Sequence, residues 1–279
     1  MRNTSTTKMH AVVVGAVLSL AVGRANAAEN NADKSAPEAP PKAAESVEAH
    51  FTVETGVAST FVGRGMNQYQ SKVNPSSMSA LFLTLDHVGP GSVTLGTYNE
   101  TAITNYSAQK GVGLQFDPIG FYAIRAGKYF KGTAGYMMHI NPELAPAKPA
   151  DGMHEFVATA ALENLFVRPA VEAYVEYLRM HGAYANVNVS KSINLGETSG
   201  VSITPAVIAG MHGYDGVPLA LREVTGAVAT KWKFSQSGPF YAVLRASYSY
   251  TGARNFGAGQ DSFSGRSTPM AMIAFGASQ

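Results

Sequence analysis

From Phe51 to Phe61 the odd positions read Phe, Val, Thr, Val, Ser, Phe, and the even positions read Thr, Glu, Gly, Ala, Thr. A period of two places those sets on opposite faces of an extended strand. The pattern recurs along the chain. Between Val171 and Arg179, Val, Ala, Val, Tyr and Arg alternate with Glu172, Tyr174, Glu176 and Leu178. Between Ala183 and Ile193 the apolar parity is opposed by Tyr184, Asn186, Asn188, Ser190 and Ser192. Phe240, Ala242, Leu244, Ala246, Tyr248 and Tyr250 alternate with Tyr241, Val243, Arg245, Ser247 and Ser249. Beyond the N-terminal region no 18 consecutive residues are apolar, so no helical span is expected.

The periodicity predicts strands near 50–62, 77–86, 92–100, 110–117, 120–130, 153–164, 168–180, 183–194, 200–210, 221–235, 239–250 and 267–277. In each, one face is apolar and the other small or polar. A soluble sandwich would carry more charge on its outer face than a chain with 14% charged residues supplies. Small residues on the polar parity (Gly56, Ala58, Thr159, Ala161, Ala227, Ala229) suit a narrow interior. The connections alternate in length. Short links fall at 87–91, 118–119, 165–167, 195–199 and 236–238, and long ones at 63–76, 101–109, 131–152, 211–220 and 251–266. "HG" at 181–182 is short where a long link is due. Short turns at one end and long loops at the other are the habit of an outer-membrane barrel. The expected fold is therefore all-β, an antiparallel transmembrane β-barrel of about twelve strands, with ten to fourteen allowed by boundary error. Trp232, Phe234, Phe240 and Tyr241 fall at one strand end, and Tyr248 and Tyr250 at the other, where aromatic girdles lie in such barrels.

The N-terminal residues belong to targeting. Met1–His10 carries Arg2 and Lys8 and no acid, "AVVVGAVLSLAV" is an apolar run of 12, and Ala25-Asn26-Ala27 offers a cleavage site. We expect residues 1–27 to be a secretory signal, with an uncleaved anchor as the alternative. Residues 28–49, rich in Ala, Pro and Glu, read as a disordered linker, and 50–279 as the barrel. Removing Arg2, Lys8 and Arg24 from 21 basic residues leaves 18 against 19 acidic ones, a net of −1. Nothing in that balance, and no basic stripe, points to nucleic acid. Cysteine is absent, which excludes a disulfide framework and thiol chemistry.

The segment "VASTFVGRGMNQYQ", a polar loop with Pro75, "MSALFLTLD", a Gly-Pro-Gly turn and "SVTLGTYNE" resemble the opening of the TorF-type porin family. "RPAVEAYVEYLRMHGAYANVNVSKSINL" and "VSITPAVIAGMHGYDG" are similar to that family's Pro-led strand, short Gly-Tyr connection and following strand. The resemblance covers most of 50–279 and implies an outer-membrane diffusion channel. It carries over no catalytic residue; Arg64 and Gly65 match a motif position. Gly63, Arg64 and Gly65 together are expected to form a rim motif, where glycine lets the strand kink and Arg64 reaches water, a carboxylate or a lipid phosphate. Such barrels commonly end on an aromatic residue read by the barrel-assembly machinery; here Phe275 lies four residues before the last residue.

By parity, Glu54, Glu155, Glu163, Glu172, Glu176 and Glu223 should face the lumen with Arg125, Lys231, Lys233 and Arg245. Mixed charges in a constriction would create a transverse field that sorts solutes. The reading that follows is a channel in the outer membrane of a Gram-negative bacterium, surrounded by lipid and passing small hydrophilic solutes, with no cofactor or metal implied. Two other readings stand beside it. One is a filled, non-conducting structural or adhesive barrel. The other is an outer-membrane lipid hydrolase using His139, His154, His181 or His212 as base, although no Gly-x-Ser-x-Gly or His-Glu-x-x-His occurs.

Overall fold

The computed structural model describes residues 46–60, 62–63, 66–67, 75–103, 114–140, 153–178, 182–196, 199–214, 217–235, 237–251 and 266–279. Twelve long strands run in chain order: β1 (Glu48–Ala58), β2 (Ser76–Val88), β3 (Gly91–Ala102), β4 (Leu114–Ala126), β5 (Phe130–His139), β6 (Met153–Leu162), β7 (Arg168–Glu176), β8 (Ala183–Ser190), β9 (Val201–Tyr214), β10 (Val217–Lys233), β11 (Phe240–Thr251) and β12 (Arg266–Ser278). Each pairs antiparallel with its sequence neighbours, and β1 also pairs with β12 from Thr52↔Ser278 to Ala58↔Met272, which closes the ring. The fold is a closed, all-β, antiparallel barrel, and no helix lies among the described residues. Two short pieces accompany it: Ile193–Asn194, which resumes pairing with β9, and a ladder of Val62–Gly63 with Met66–Asn67.

Twelve strands match the expected count, although two boundary errors cancel. Asp117-Pro118-Ile119-Gly120 was expected to turn, yet β4 runs straight through it, with Pro118 opposite Thr97. The turn comes at 127–129, where Gly127 has φ 62°, and β5 occupies residues expected in a long loop. Proline survives mid-strand because of where its missing N–H falls. Phe116, of the same parity, exchanges backbone bonds with Ile140, so the lost donor at Pro118 faces β5 and removes one ladder bond there. Pro205 repeats the arrangement. Its carbonyl accepts from Lys191, so its missing N–H also faces β8, where that strand breaks between Ser190 and Ile193.

Three further boundaries differ. β9 and β10 extend to Tyr214 and Val217, so the expected loop 211–220 is a hairpin with two residues between its strands. The link after β7 spans 177–182 rather than two residues. β1 begins at Glu48 and stops at Ala58, so the last residues of the expected linker belong to the sheet. Residues 1–45, which carry the expected signal and most of the linker, lie outside the described residues. Of the rim motif, Gly63 pairs with Met66; Arg64 and Gly65 lie outside the described residues.

The two strand faces have opposite chemistry. Phe51, Val53, Leu81, Leu95, Phe156, Val187, Val207, Leu244 and Ile273 point outward and are about half exposed. The opposite parity carries Glu, Ser, Thr, Asn, Tyr and small residues. An exterior of half-exposed aliphatic and aromatic side chains is stable against hydrocarbon and not against water, which makes the barrel a transmembrane one. A 12-residue strand tilted by about 40° rises roughly 30 Å, enough for that apolar band. Outward aromatics mark both ends. Trp232 packs edge-on to Phe234 at 5.4 Å beside the turns, and Tyr248 and Tyr250 stand toward the other rim.

Trp232 is the single tryptophan and is 54% exposed. In bilayers its fluorescence is expected to be quenched more strongly by lipids brominated near the headgroup than by lipids brominated near the chain end. Equal quenching at both depths would contradict the interfacial placement.

Candidate functional site

The lumen is the concave, polar region of the molecule, and its wall is built from glycines paired with aromatic rings. Phe82 lies opposite Gly96, Phe121 opposite Gly135 and Tyr241 opposite Gly276. A Cβ on any of these glycines would run into the ring across from it. Each ring therefore lies flat along the wall over a residue with no side chain instead of projecting into the interior. Tyr184 shares the pattern diagonally: a Cβ on Gly210 would meet its ring at 2.9 Å and Glu223 Oε2 at 2.7 Å. A cavity of about 470 Å³ remains between β7–β12, lined by Glu172, Tyr174, Tyr184, Asn186, Glu223, Arg245, Ser247 and Ser249 among others.

The charges are partly sorted along the barrel axis. Near the rim of the long links, β3–β7 carry Glu100, Asp117, Glu155 and Glu176 on the inward parity, all buried. Near the turns the inward basic residues include Arg125 and Lys131, directly opposite each other, with Lys231 and Lys233. Between them lie Glu172, Glu223 and Arg245. Acids share the turn end, since Glu48, Glu54 and Asp86 are on the inward parity there and Asp86 pairs with His50 at 3.2 Å. That mouth is therefore mixed in charge, while the rim of the long links on β3–β7 is acidic. Arg125 is turned toward solvent and pairs with Glu163 at 3.6 Å, while Arg168 reaches the same carboxylate at 3.0 Å. Glu54 accepts a hydrogen bond from Tyr241 at 3.2 Å, and Lys231 Nζ sits 3.7 Å above that tyrosine's ring.

His139 joins two strands of the acidic belt. Its Nδ1 is 3.0 Å from Asp117 Oδ1 and its Nε2 3.0 Å from Glu155 Oε2. The Nε2 contact has hydrogen-bond geometry. Asp117 Oδ1 lies at ion-pair distance from Nδ1 without a hydrogen bond among the described residues, and Gln115 Nε2 approaches the same Nδ1 at 3.1 Å. A charged ring here offsets the two buried carboxylates. Gln115 Nε2 donates to Asp117 Oδ2 at 2.7 Å. Glu100 is held differently, by the hydroxyls of Ser76 and Tyr98.

The other histidines are dispersed. His154 points outward in an aromatic cluster with Tyr136, Phe156 and Tyr177. His212 faces inward beside Tyr184, and His181 lies outside the described residues. Sequence reasoning missed Glu100 and Asp117. The turn misplaced onto Asp117-Pro118 hid the second, and the inward parity of Tyr98 and Gly96 could have drawn attention to the first. No group of three potential metal ligands occurs among the described residues.

No protein-family model matches the chain, and no curated protein matches it in sequence. Among solved structures it is similar to the KdgM porin in complex with disordered oligogalacturonate, at 6% identity over 82% of this chain and 98% of that one, with a TM-score of 0.47. It is also similar to the COG4313 outer membrane channel from Pseudomonas putida F1, at 11% identity over 87% and 100%, TM-score 0.47. The translocator domain of the autotransporter NalP from Neisseria meningitidis matches at 10% identity over 95% and 97%, TM-score 0.36.

Replacing His139 with alanine leaves two buried carboxylates without their shared cation. It is expected to destabilise the barrel by about 3–5 kcal/mol in urea unfolding, while the triple variant Asp117→Asn, His139→Gln, Glu155→Gln recovers most of that loss. A single variant as stable as the parent would show that the pairing contributes nothing.

Proposed function

We propose that this barrel is a TorF-type channel of the bacterial outer membrane, passing small hydrophilic solutes by passive diffusion. The observation that carries the reading is the polar, charge-lined cavity of about 470 Å³ inside a wall whose outer face is apolar. A barrel that served only as an anchor could fill its interior with apolar side chains at lower desolvation cost. Here the wall instead uses glycines to lay its aromatic rings flat. In this reading the turns and both ends of the barrel face the periplasm after signal cleavage, and the long links face outward. Lipid surrounds the exterior, and the barrel-assembly machinery inserts it. Solutes would meet an acidic belt at the outer mouth and a ring of mixed charge near the turns, so multivalent anions cross least easily.

Single-channel recording of the refolded barrel in a planar bilayer tests this. Regular conductance steps are expected, and persistent silence from protein shown to be folded would favour a filled barrel. Glu172→Gln together with Glu176→Gln removes two inward negative charges, so the reversal potential in a salt gradient should move toward anion selectivity by several millivolts. An unchanged reversal potential would take both residues off the conduction path.

A further inference from the structure

The cavity wall around β8 holds unused hydrogen-bond acceptors. Glu172 on β7 and Glu223 on β10 approach β8 from opposite sides, along the row Glu172↔Asn186↔Gly210↔Glu223. Gly210 lets Glu223 lean across its own neighbour, so that its Oε2 accepts from Tyr184 at 3.0 Å. Its other oxygen accepts from the Thr225 hydroxyl at 2.8 Å. Glu172 uses Oε2 for Asn186 Nδ2 at 3.0 Å and for the Tyr174 hydroxyl at 3.4 Å. Glu172 Oε1 makes no hydrogen bond among the described residues.

Asn186 is 4% exposed, and its Oδ1 has no hydrogen-bond partner among the described residues. Its orientation is fixed, since the swapped amide would set an oxygen against the Glu172 carboxylate. A buried, unmatched amide oxygen is costly, so it asks for a donor. Neither Glu172 nor Glu223 lies within salt-bridge distance of a lysine or arginine among the described residues. The cationic partner available to Glu223 is His212, whose Nε2 is 3.7 Å from Oε2; Glu172 has no such partner among the described residues. Arg245, in the same cavity, sits opposite Ala229, six residues down β10 from Glu223 and so roughly 20 Å away along the strand.

We propose that this wall recognises the primary ammonium group of a small organic cation. Such a group is compact, carries one positive charge and presents three N–H donors. Those donors match Glu172 Oε1, Asn186 Oδ1 and the Glu223 carboxylate. The half-buried ring of Tyr174, backed by that of Tyr184 at 5.6 Å, offers a face for the cation's alkyl part. A metal ion fits less well, because no three potential ligands cluster among the described residues. A neutral sugar's hydroxyls can donate to the same acceptors, but they bring no positive charge to set against the two carboxylates. The site rests on the channel reading only in that the lumen is the solute's route to it.

The test is isothermal titration of the folded barrel in detergent with n-butylammonium, tetramethylammonium, glucose and butyrate. Saturable binding is expected for n-butylammonium, about tenfold weaker binding for tetramethylammonium, and none for glucose or butyrate. Glu172→Gln and Asn186→Leu should each weaken n-butylammonium by about tenfold, and Asn186→Asp should retain or tighten it. Circular dichroism and heat-modified gel migration establish that each variant is folded. Equal binding of the two cations, wild-type binding by both weakening variants, or no saturable heat overturns the proposal. Conductance measured on the same preparation separates the two readings. Conducting protein that binds no amine overturns the site alone, and amine binding by silent protein supports the site while overturning diffusion.

Discussion

Every backbone donor and acceptor in the wall must find its partner within the wall, because the outer face is apolar and offers none. That requirement governs the rest of the structure. It forces the sheet to close through β1 and β12, since an open edge would leave a column of unpaired groups in hydrocarbon. It also decides where proline can stand. Pro118 and Pro205 each delete one donor, and in each case the deletion faces a place where the partner strand is locally unpaired. The strand wall accommodates isolated gaps of this kind because the bonds on the far side of the same strand are untouched.

The exterior was legible because it follows from one strand at a time. Period-two alternation identifies the apolar parity without knowledge of any neighbour, and the inward parity of Glu54, Glu172, Glu223 and Arg245 comes with it. Turn chemistry was less readable. Asp-Pro-Ile-Gly has the composition of a turn, and only the pairing of Phe116 with Ile140 explains why it remains extended. The cost was to lose β5 and to place Asp117 outside the lumen. Two-residue hairpins such as that between Tyr214 and Val217 were hidden for the opposite reason, since their flanks carry bulges that break the alternation.

The interior depends on register, which no single strand reveals. That Phe121 rests on Gly135, or that His139 lies between Asp117 and Glu155, is set by which residue faces which across the ladder. A one-residue slip would move each ring off its glycine and onto a side chain. The glycine–aromatic pairs therefore serve two ends together: they keep the interior clear, and they penalise the wrong register. The acid–histidine–acid bridge adds a similar constraint among β4, β5 and β6, because only one alignment gives both carboxylates the same cation.

Eleven of the twelve strand pairings join neighbours in sequence, and β1 with β12 is the exception. Thr52 and Ser278, at the two extremes of the wall, pair side by side. The barrel is thus a cyclic arrangement cut at one seam, and the position of the cut is a property of the gene order rather than of the wall. Joining the two extremes by a short linker and opening the chain at another turn, such as that after Ala126, would leave every ladder and every glycine–aromatic pair in place. What would change is the order of assembly: the pairing that now waits for the whole chain would become local, and a pairing that is now local would become the closing one.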